Sequence, residues 1–238
     1  MADHMLMVLE DEGAHASESP KAMAELIDRR AAFADELRRA GTLRDGGRLR
    51  PSHEGKRVRR TAAGRLEVQD GPFAEQGKAL CAYYWVDVPG ADEAAAVAAR
   101  CPVLSGDEVD VRPLMKGRVD ADKEAKPGKI FACVVLGSTA TEDEWVSVMD
   151  RIDAETTDCF PPTSFLGGVR LEPPRKGRRV ATRGERRASF DGPFLESKEV
   201  IGGIFFLRLA SIEEAVRWAS ESRFVVHGAL EIRELWRS

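Results

Sequence analysis

The sequence predicts an α+β protein made of two ferredoxin-like repeats that face each other as an intramolecular α+β barrel, and three observations carry that expectation. The tetrapeptide Asp70-Gly71-Pro72-Phe73 recurs 121 residues later as Asp191-Gly192-Pro193-Phe194. The same spacing pairs Gly46 and Gly47 with Gly167 and Gly168, Glu75 with Glu196, Arg112 with Arg233 and Leu114 with Leu235. Two long copies mark two complete domains rather than an array of short repeats. Each copy reads strand, helix, two or three strands, helix, strand, an order in which both helices cover one face of a mostly antiparallel sheet. The other face stays apolar, and the matching face of the second copy is its natural cover.

The first copy, residues 1–115, opens with an apolar strand at 5–9. Ser19-Pro20 starts a helix whose apolar positions Met23, Leu26, Ile27, Phe33 and Leu37 keep helical spacing as far as Gly41. Residues 43–49 follow, broken by Gly46 and Gly47, and then a hairpin in which Val58 and 66–68 flank a turn at Ala63-Gly64. After the Asp-Gly-Pro-Phe loop, the nearly continuous apolar run 79–88 suits a strand buried on both faces. An alanine-rich helix at 91–100 and a half-buried strand carrying Val109 and Val111, ending at Pro113, close the copy.

Residues 116–129 are charged and contain Pro127-Gly128, as a linker does. The second copy, 130–238, repeats the order. A strand at 130–136 precedes a capping box, Thr141 with Glu144, that starts a helix through Trp145, Val148, Met149 and Ile152 and stops at Pro161-Pro162. Residues 165–171, a hairpin between Arg178 and Phe190, the second Asp-Gly-Pro-Phe loop and an apolar strand at 200–209 come next. Ser211 and Glu214 form another capping box, and a strand at 230–235 ends the chain.

The 238 residues carry 36 basic and 40 acidic side chains, a balance that argues against a general nucleic-acid binder. The apolar run at 5–9 is too short for a signal peptide or a membrane span, so a cytoplasmic protein with no membrane partner is expected. Cys81, Cys101, Cys133 and Cys159 stand too far apart for zinc or redox motifs and read as core thiols. No metal and no cofactor are expected.

The segments DGPFAEQGKALCAYYWVDV and DGPFLESKEVIGGIFFLRL, with the later EVDVRPL and ALEIREL, resemble the YCII-related, or DGPF, domain family across nearly the whole chain outside the linker. The resemblance implies a dimeric α+β barrel, here fused into one chain with its own pseudo-twofold axis and no settled activity. Small members of that family are thought to use a His and Asp pair in a cleft, whereas this chain is similar to the branch that offers the loop aspartate instead. His4, His15, His53 and His227 do not repeat at the spacing of 121 and stand in no recognisable catalytic spacing, which points away from a histidine-dependent mechanism.

Asp70 and Asp191 precede Gly-Pro, where a carboxylate either holds the turn through backbone amides or is presented to a cleft as a general base beside Glu75 or Glu196. Phe73 and Phe194 read as anchors of the loop. The copies diverge after the loop, and Lys198 with Gly202 and Gly203 makes the second copy the better candidate, since the glycines admit a ligand or another strand at close range. Arg112 and Arg233 either pair with Glu75 and Glu196 or bind an anionic substrate group. His227 is a loop residue or a proton-transfer group. The hairpins are basic, with Lys56, Arg57, Arg59, Arg60 and Arg65 in one and Arg175, Lys176, Arg178, Arg179, Arg183, Arg186 and Arg187 in the other. They are solvated edges or arms for an acidic partner.

Three functions follow from these residues. The first is a small-molecule site in the barrel cleft, a cofactor-free lyase or isomerase with Asp191, Glu196 and His227 as catalytic groups and Asp70, Glu75, Arg112, Lys198 and Arg233 holding an acidic substrate. The second is a non-catalytic binding or regulatory module whose basic hairpins contact an acidic protein or nucleic acid. The third is metal-free oxygen chemistry on an aromatic substrate lined by Tyr83, Tyr84 and Trp85. The expected state is a monomer that is its own pseudo-dimer.

Overall fold

The computed structural model describes residues 2–61, 63–73, 78–120, 127–138, 147, 164–183, 186–192, 199–226 and 228–236. The expected strand-helix alternation is present in the first repeat: β1 (Ala2–Glu10), a short α1 (Glu12–Ala16), α2 (Pro20–Arg39), β2 (Leu43–Arg48), the hairpin β3 (Lys56–Arg60) and β4 (Leu66–Asp70), β5 (Ala79–Val88), α3 (Ala91–Arg100) and β6 (Glu108–Val119). The second repeat supplies β7 (Lys129–Ser138), β8 (Phe165–Leu171), the hairpin β9 (Arg178–Arg183) and β10 (Arg186–Asp191), β11 (Glu199–Leu209), α4 (Ile212–Glu221) and β12 (Ala229–Glu234). The helix expected from Thr141 and Glu144 lies outside the described residues.

The chain forms two compact units, and they do not follow the boundary between the repeats. The first unit comprises Met1–Arg48, Ala74–Leu114 and Pro174–Phe194; the second comprises Leu49–Phe73, Met115–Pro173 and Leu195–Ser238. In the first, antiparallel pairing gives the strand order β2-β5-β1-β6-β9-β10. In the second it gives β8-β11-β7-β12-β3-β4. The four strands from each repeat follow the order of a split β-α-β unit, and each hairpin extends the sheet built by the other repeat. The expected linker at 116–129 is shortened from both sides, because β6 runs past Pro113 to Val119 and β7 begins at Lys129.

Local chemistry sets the helix ends. Ser19 accepts a bond from the Ala22 amide at 3.1 Å, Pro20 occupies the first turn of α2, and Gly41 at φ 68° ends the segment. In α4 the Ser211 half of the expected capping box is made, the Glu214 amide donating to Ser211 Oγ at 3.3 Å, while the Glu214 carboxylate reaches one residue further back and accepts from the Ala210 amide at 2.8 Å.

In the first unit Leu6, Val8, Tyr84, Val86, Val109 and Val111 pack with Phe33, Leu37 and the alanines of α3. Alternation along the strands therefore turns Met5, Met7, Tyr83, Trp85, Asp110 and Arg112 to the opposite face. The second unit builds its core from Val58, Phe131, Phe205, Leu207, Leu230 and Ile232 with Ala215, Ala219 and Phe224. The cysteines Cys81, Cys101 and Cys133 are free and buried, as core thiols are.

Candidate functional site

A cluster of four ionisable side chains is buried on the helix side of the first unit. β1 ends at Glu10, and Asp11 caps the next helix by accepting from the amides of Gly13 and Ala14 at 3.0 and 3.1 Å. That turn brings His15 back over the strand end. Asp107 is held in the turn before β6, where its carboxylate accepts from the Leu104 amide at 2.9 Å and Gly106 takes φ 93°. Arg30 stands on the buried stripe of α2 with Leu26, Phe33 and Leu37.

The four groups form a chain. His15 Nε2 lies 3.0 and 2.9 Å from the two Asp107 oxygens. An ionised carboxylate only accepts, so Nε2 carries the proton and the other ring nitrogen faces Glu10. His15 Nδ1 is 3.6 Å from Glu10 Oε2, beyond a hydrogen bond, and has no bonding partner. Glu10 Oε1 meets Arg30 Nη1 at 2.5 Å, and Arg30 Nε donates to the Pro102 carbonyl at 2.9 Å. His15, Glu10 and Arg30 are each 8% exposed and Asp107 1%.

Burial pushes the Asp107 carboxyl above its usual range, against the pull of the His15 hydrogen bond and charge. Burial works against the Arg30 charge, but the neighbouring Cys81 and Glu10 outweigh it and hold the guanidinium above its ordinary value. Burial, aided by Glu10, also raises the Cys81 thiol, and it lifts Cys101 to about 11, so neither is a ready nucleophile. Donor atoms of Glu10, His15 and Asp107 lie within 4.8 Å of one another, a spacing that a cation can bridge. Arg30 on Glu10 and the Nε2 proton on Asp107 already engage those donors, so the arrangement suits proton handling better than metal binding.

A raised carboxyl has a consequence for stability. Folded Asp107 binds its proton more readily than the unfolded chain does, so its contribution is largest at acid pH and declines as pH rises through the folded value. Asp107→Asn is expected to remove that decline. Urea midpoints measured from about pH 4 upward should shift in the variant's favour as pH increases, even though the pair with His15 is weakened.

Among the described residues, the second repeat places no counterpart of Glu10 or Asp107. Gly137 stands opposite Val200 where Glu10 stands opposite Ala79, and Gly228 precedes β12 where Asp107 precedes β6. The sequence-based preference for the second repeat thus differs from where the buried polar cluster lies.

The residues singled out from the sequence are dispersed. Asp70 is exposed at the end of β4 and pairs with Lys56. Asp191 is exposed at the end of β10, 3.1 Å from Arg178. Glu75, Glu196, Lys198 and His227 lie outside the described residues. Arg112 and Arg233 are fully buried. Arg233 donates to Glu231 at 2.9 Å and to the Arg50 carbonyl at 2.7 Å, while Arg112 lies 4.0 Å from Asp110. A Cβ on Gly55 or Gly177 would stand 2.6 or 2.5 Å from the Cδ of Arg233 or Arg112, so each arginine packs against a glycine at the root of a hairpin. Gly203 serves close strand approach, since a Cβ there would lie 2.5 Å from the Val169 carbonyl of β8. Phe73 anchors its loop, buried beneath the Arg57 guanidinium at 4.6 Å.

Several hairpin arginines have partners inside their own units. Arg57 bonds Glu231 at 2.9 Å, Arg59 bonds Glu67 at 2.8 Å, and Arg178 pairs with Asp92 as well as Asp191. Arg187 donates to the Ala98 and Cys101 carbonyls at 3.0 and 2.6 Å, covering the end of α3.

The chain belongs to the YCII-related domain family, whose pattern matches residues 4–117 and 165–238. No curated protein matches it. Among solved structures it is similar to one provisionally described as a chlorite dismutase, with 9% identity, 99% of this chain and 94% of that one covered, and a TM-score of 0.42. An anthrone oxidase-like protein gives 10% identity, coverage of 100% and 92%, and a TM-score of 0.44. Among the described residues no helix is long and apolar enough to cross a membrane.

Proposed function

We propose that the first unit carries a small-molecule enzyme site in which His15 moves a proton and Asp107 orients it. The observation that carries this reading is the buried imidazole whose Nε2 is fixed by Asp107 while Nδ1 has no partner. A bare, oriented ring nitrogen is what a general base needs. His15 Nδ1 takes a proton from a carbon beside a carbonyl or carboxyl group, and the resulting imidazolium is balanced by Asp107 on one side and Glu10 on the other. The proton then returns to a different atom, as in a lyase or isomerase. Arg30 holds Glu10 in place. The substrate class is a small acidic molecule, as the sequence suggests, and Glu196 and His227 stay candidates on sequence grounds alone.

Membership of the YCII-related family supports a small-molecule role, and the internal ion pairs of the hairpin arginines favour it over docking of an acidic partner. The intramolecular barrel is part of the proposal, and small-angle scattering of the intact chain tests it: a single compact particle supports it and two separated lobes contradict it.

Proton exchange tests the chemistry without knowledge of the product. In D2O the protein should wash deuterium into at least one of a panel of small carbonyl acids, followed by proton NMR. His15→Gln should slow that exchange about 100-fold or more. No exchange with any member, or equal exchange by the variant, would overturn the reading.

A further inference from the structure

On the sheet face turned away from the helices, the two units differ at a matched carboxylate position. Glu231 in β12 lies opposite Arg57, as Asp110 in β6 lies opposite Arg179, and each carboxylate has an arginine two residues further along its strand. In the second unit both carboxylate oxygens are used: Oε1 accepts from Arg233 Nη1 at 2.9 Å and Oε2 from Arg57 Nη2 at 2.9 Å. Aspartate is one methylene shorter. In the first unit Arg112 Nη1 stops 4.0 Å from Asp110 Oδ2, and Asp110 Oδ1 is buried without a partner.

A second unmatched group shares that face. Trp85 is paired with Met5, which is paired in turn with Arg112, so the indole stands one row from Asp110. Its Nε1 proton is buried with no acceptor, and Trp85 and Asp110 are 7% and 9% exposed. At the matching place β11 has Phe206, paired with Ala132 as Trp85 is with Met5, and phenylalanine has no polar atom to satisfy. The second unit is therefore closed at both positions, whereas the first leaves a buried donor and a buried acceptor unmatched on the face that also carries Met5 and Met7. Buried polar groups are normally paired, and thioethers make a soft floor for a flat apolar body.

We propose that this face of the first unit binds a small planar molecule with a hydroxyl group, of the phenol type, that donates to Asp110 and accepts from the Trp85 indole. The site is separate from the His15 cluster, which lies on the helix side of the same sheet.

Phenol is the probe, and the indole N–H resonances of the nitrogen-15 labelled protein are the readout, with Trp85→Phe identifying the Trp85 signal. Phenol should shift that signal to saturation with one site per chain. Asp110→Glu, which copies the second unit, should close on Arg112 and weaken phenol binding about tenfold or more, and Asp110→Asn provides a second variant that removes the charged acceptor at nearly constant volume. A Trp85 signal indifferent to phenol, or one that shifts equally in a folded Asp110→Glu or Asp110→Asn protein, would overturn the proposal and leave an internal water as the partner of these atoms.

Discussion

Replacing Arg30 with methionine is expected to lower stability by about 3–5 kcal/mol, the cost of leaving one member of a buried ion pair without the other. Arg30 is the counter-charge of Glu10 and also ties the Pro102 carbonyl to α2. Methionine fills much of the same volume, so the loss reports charge rather than packing. Glu10→Gln combined with Arg30→Met should recover most of the deficit, because the uncompensated carboxylate is gone; urea unfolding of the four proteins closes the cycle. A single-variant loss below about 1 kcal/mol would mean that the pair behaves as a solvated one.

Gly71→Ala should destabilise the chain by about 3 kcal/mol through a backbone collision rather than a lost contact. A Cβ on Gly71 would stand 1.8 Å from the Ser52 carbonyl oxygen, which belongs to a 3-10 turn spanning Ser52–Glu54. The Gly71 amide donates to the Gly55 carbonyl at 3.2 Å, and the Phe73 amide to Ser52 Oγ at 3.3 Å. The second copy does the same: Gly192 donates to Gly177 at 3.0 Å, and its Cβ would fall 2.4 Å from the Pro174 carbonyl. Gly64 is the control. It has a positive φ of 76° but nothing within 4 Å of an added Cβ, so Gly64→Ala should cost only the conformational penalty of about 1 kcal/mol. Thermal melts that place Gly71→Ala no lower than Gly64→Ala would contradict this account of the motif.

The repeat, the strand order within each copy and the helix starts at Ser19 and Ser211 were legible because they depend on local spacing and capping. The destination of the hairpins was not. A basic hairpin can extend any antiparallel edge, and nothing near Val58 or Val180 in the sequence says that their partners are Leu230 and Val109. Pro113 suggested a strand end, yet β6 continues to Val119.

The His15 cluster was hidden for another reason. Its members come from a strand end, two helices and a turn, His15 and Asp107 stand 92 positions apart, and Glu10, His15 and Asp107 do not repeat at the spacing of 121. One signal was available: Arg30 occupies the apolar stripe of α2 between Leu26 and Phe33, where a charge is tolerated only with a buried partner. Glu10, at the end of the run 5–9, is that partner.

The orientation of the His15 ring is the most direct test of the central claim, and nitrogen-15 NMR of the labelled side chain reads it. With the ring neutral, the proton should sit on Nε2 and Nδ1 should show the shift of a bare nitrogen, a preference that weakens in Asp107→Asn. A proton on Nδ1 in the wild-type protein would mean that Asp107 does not set the ring, and that His15 does not present a base beside Glu10.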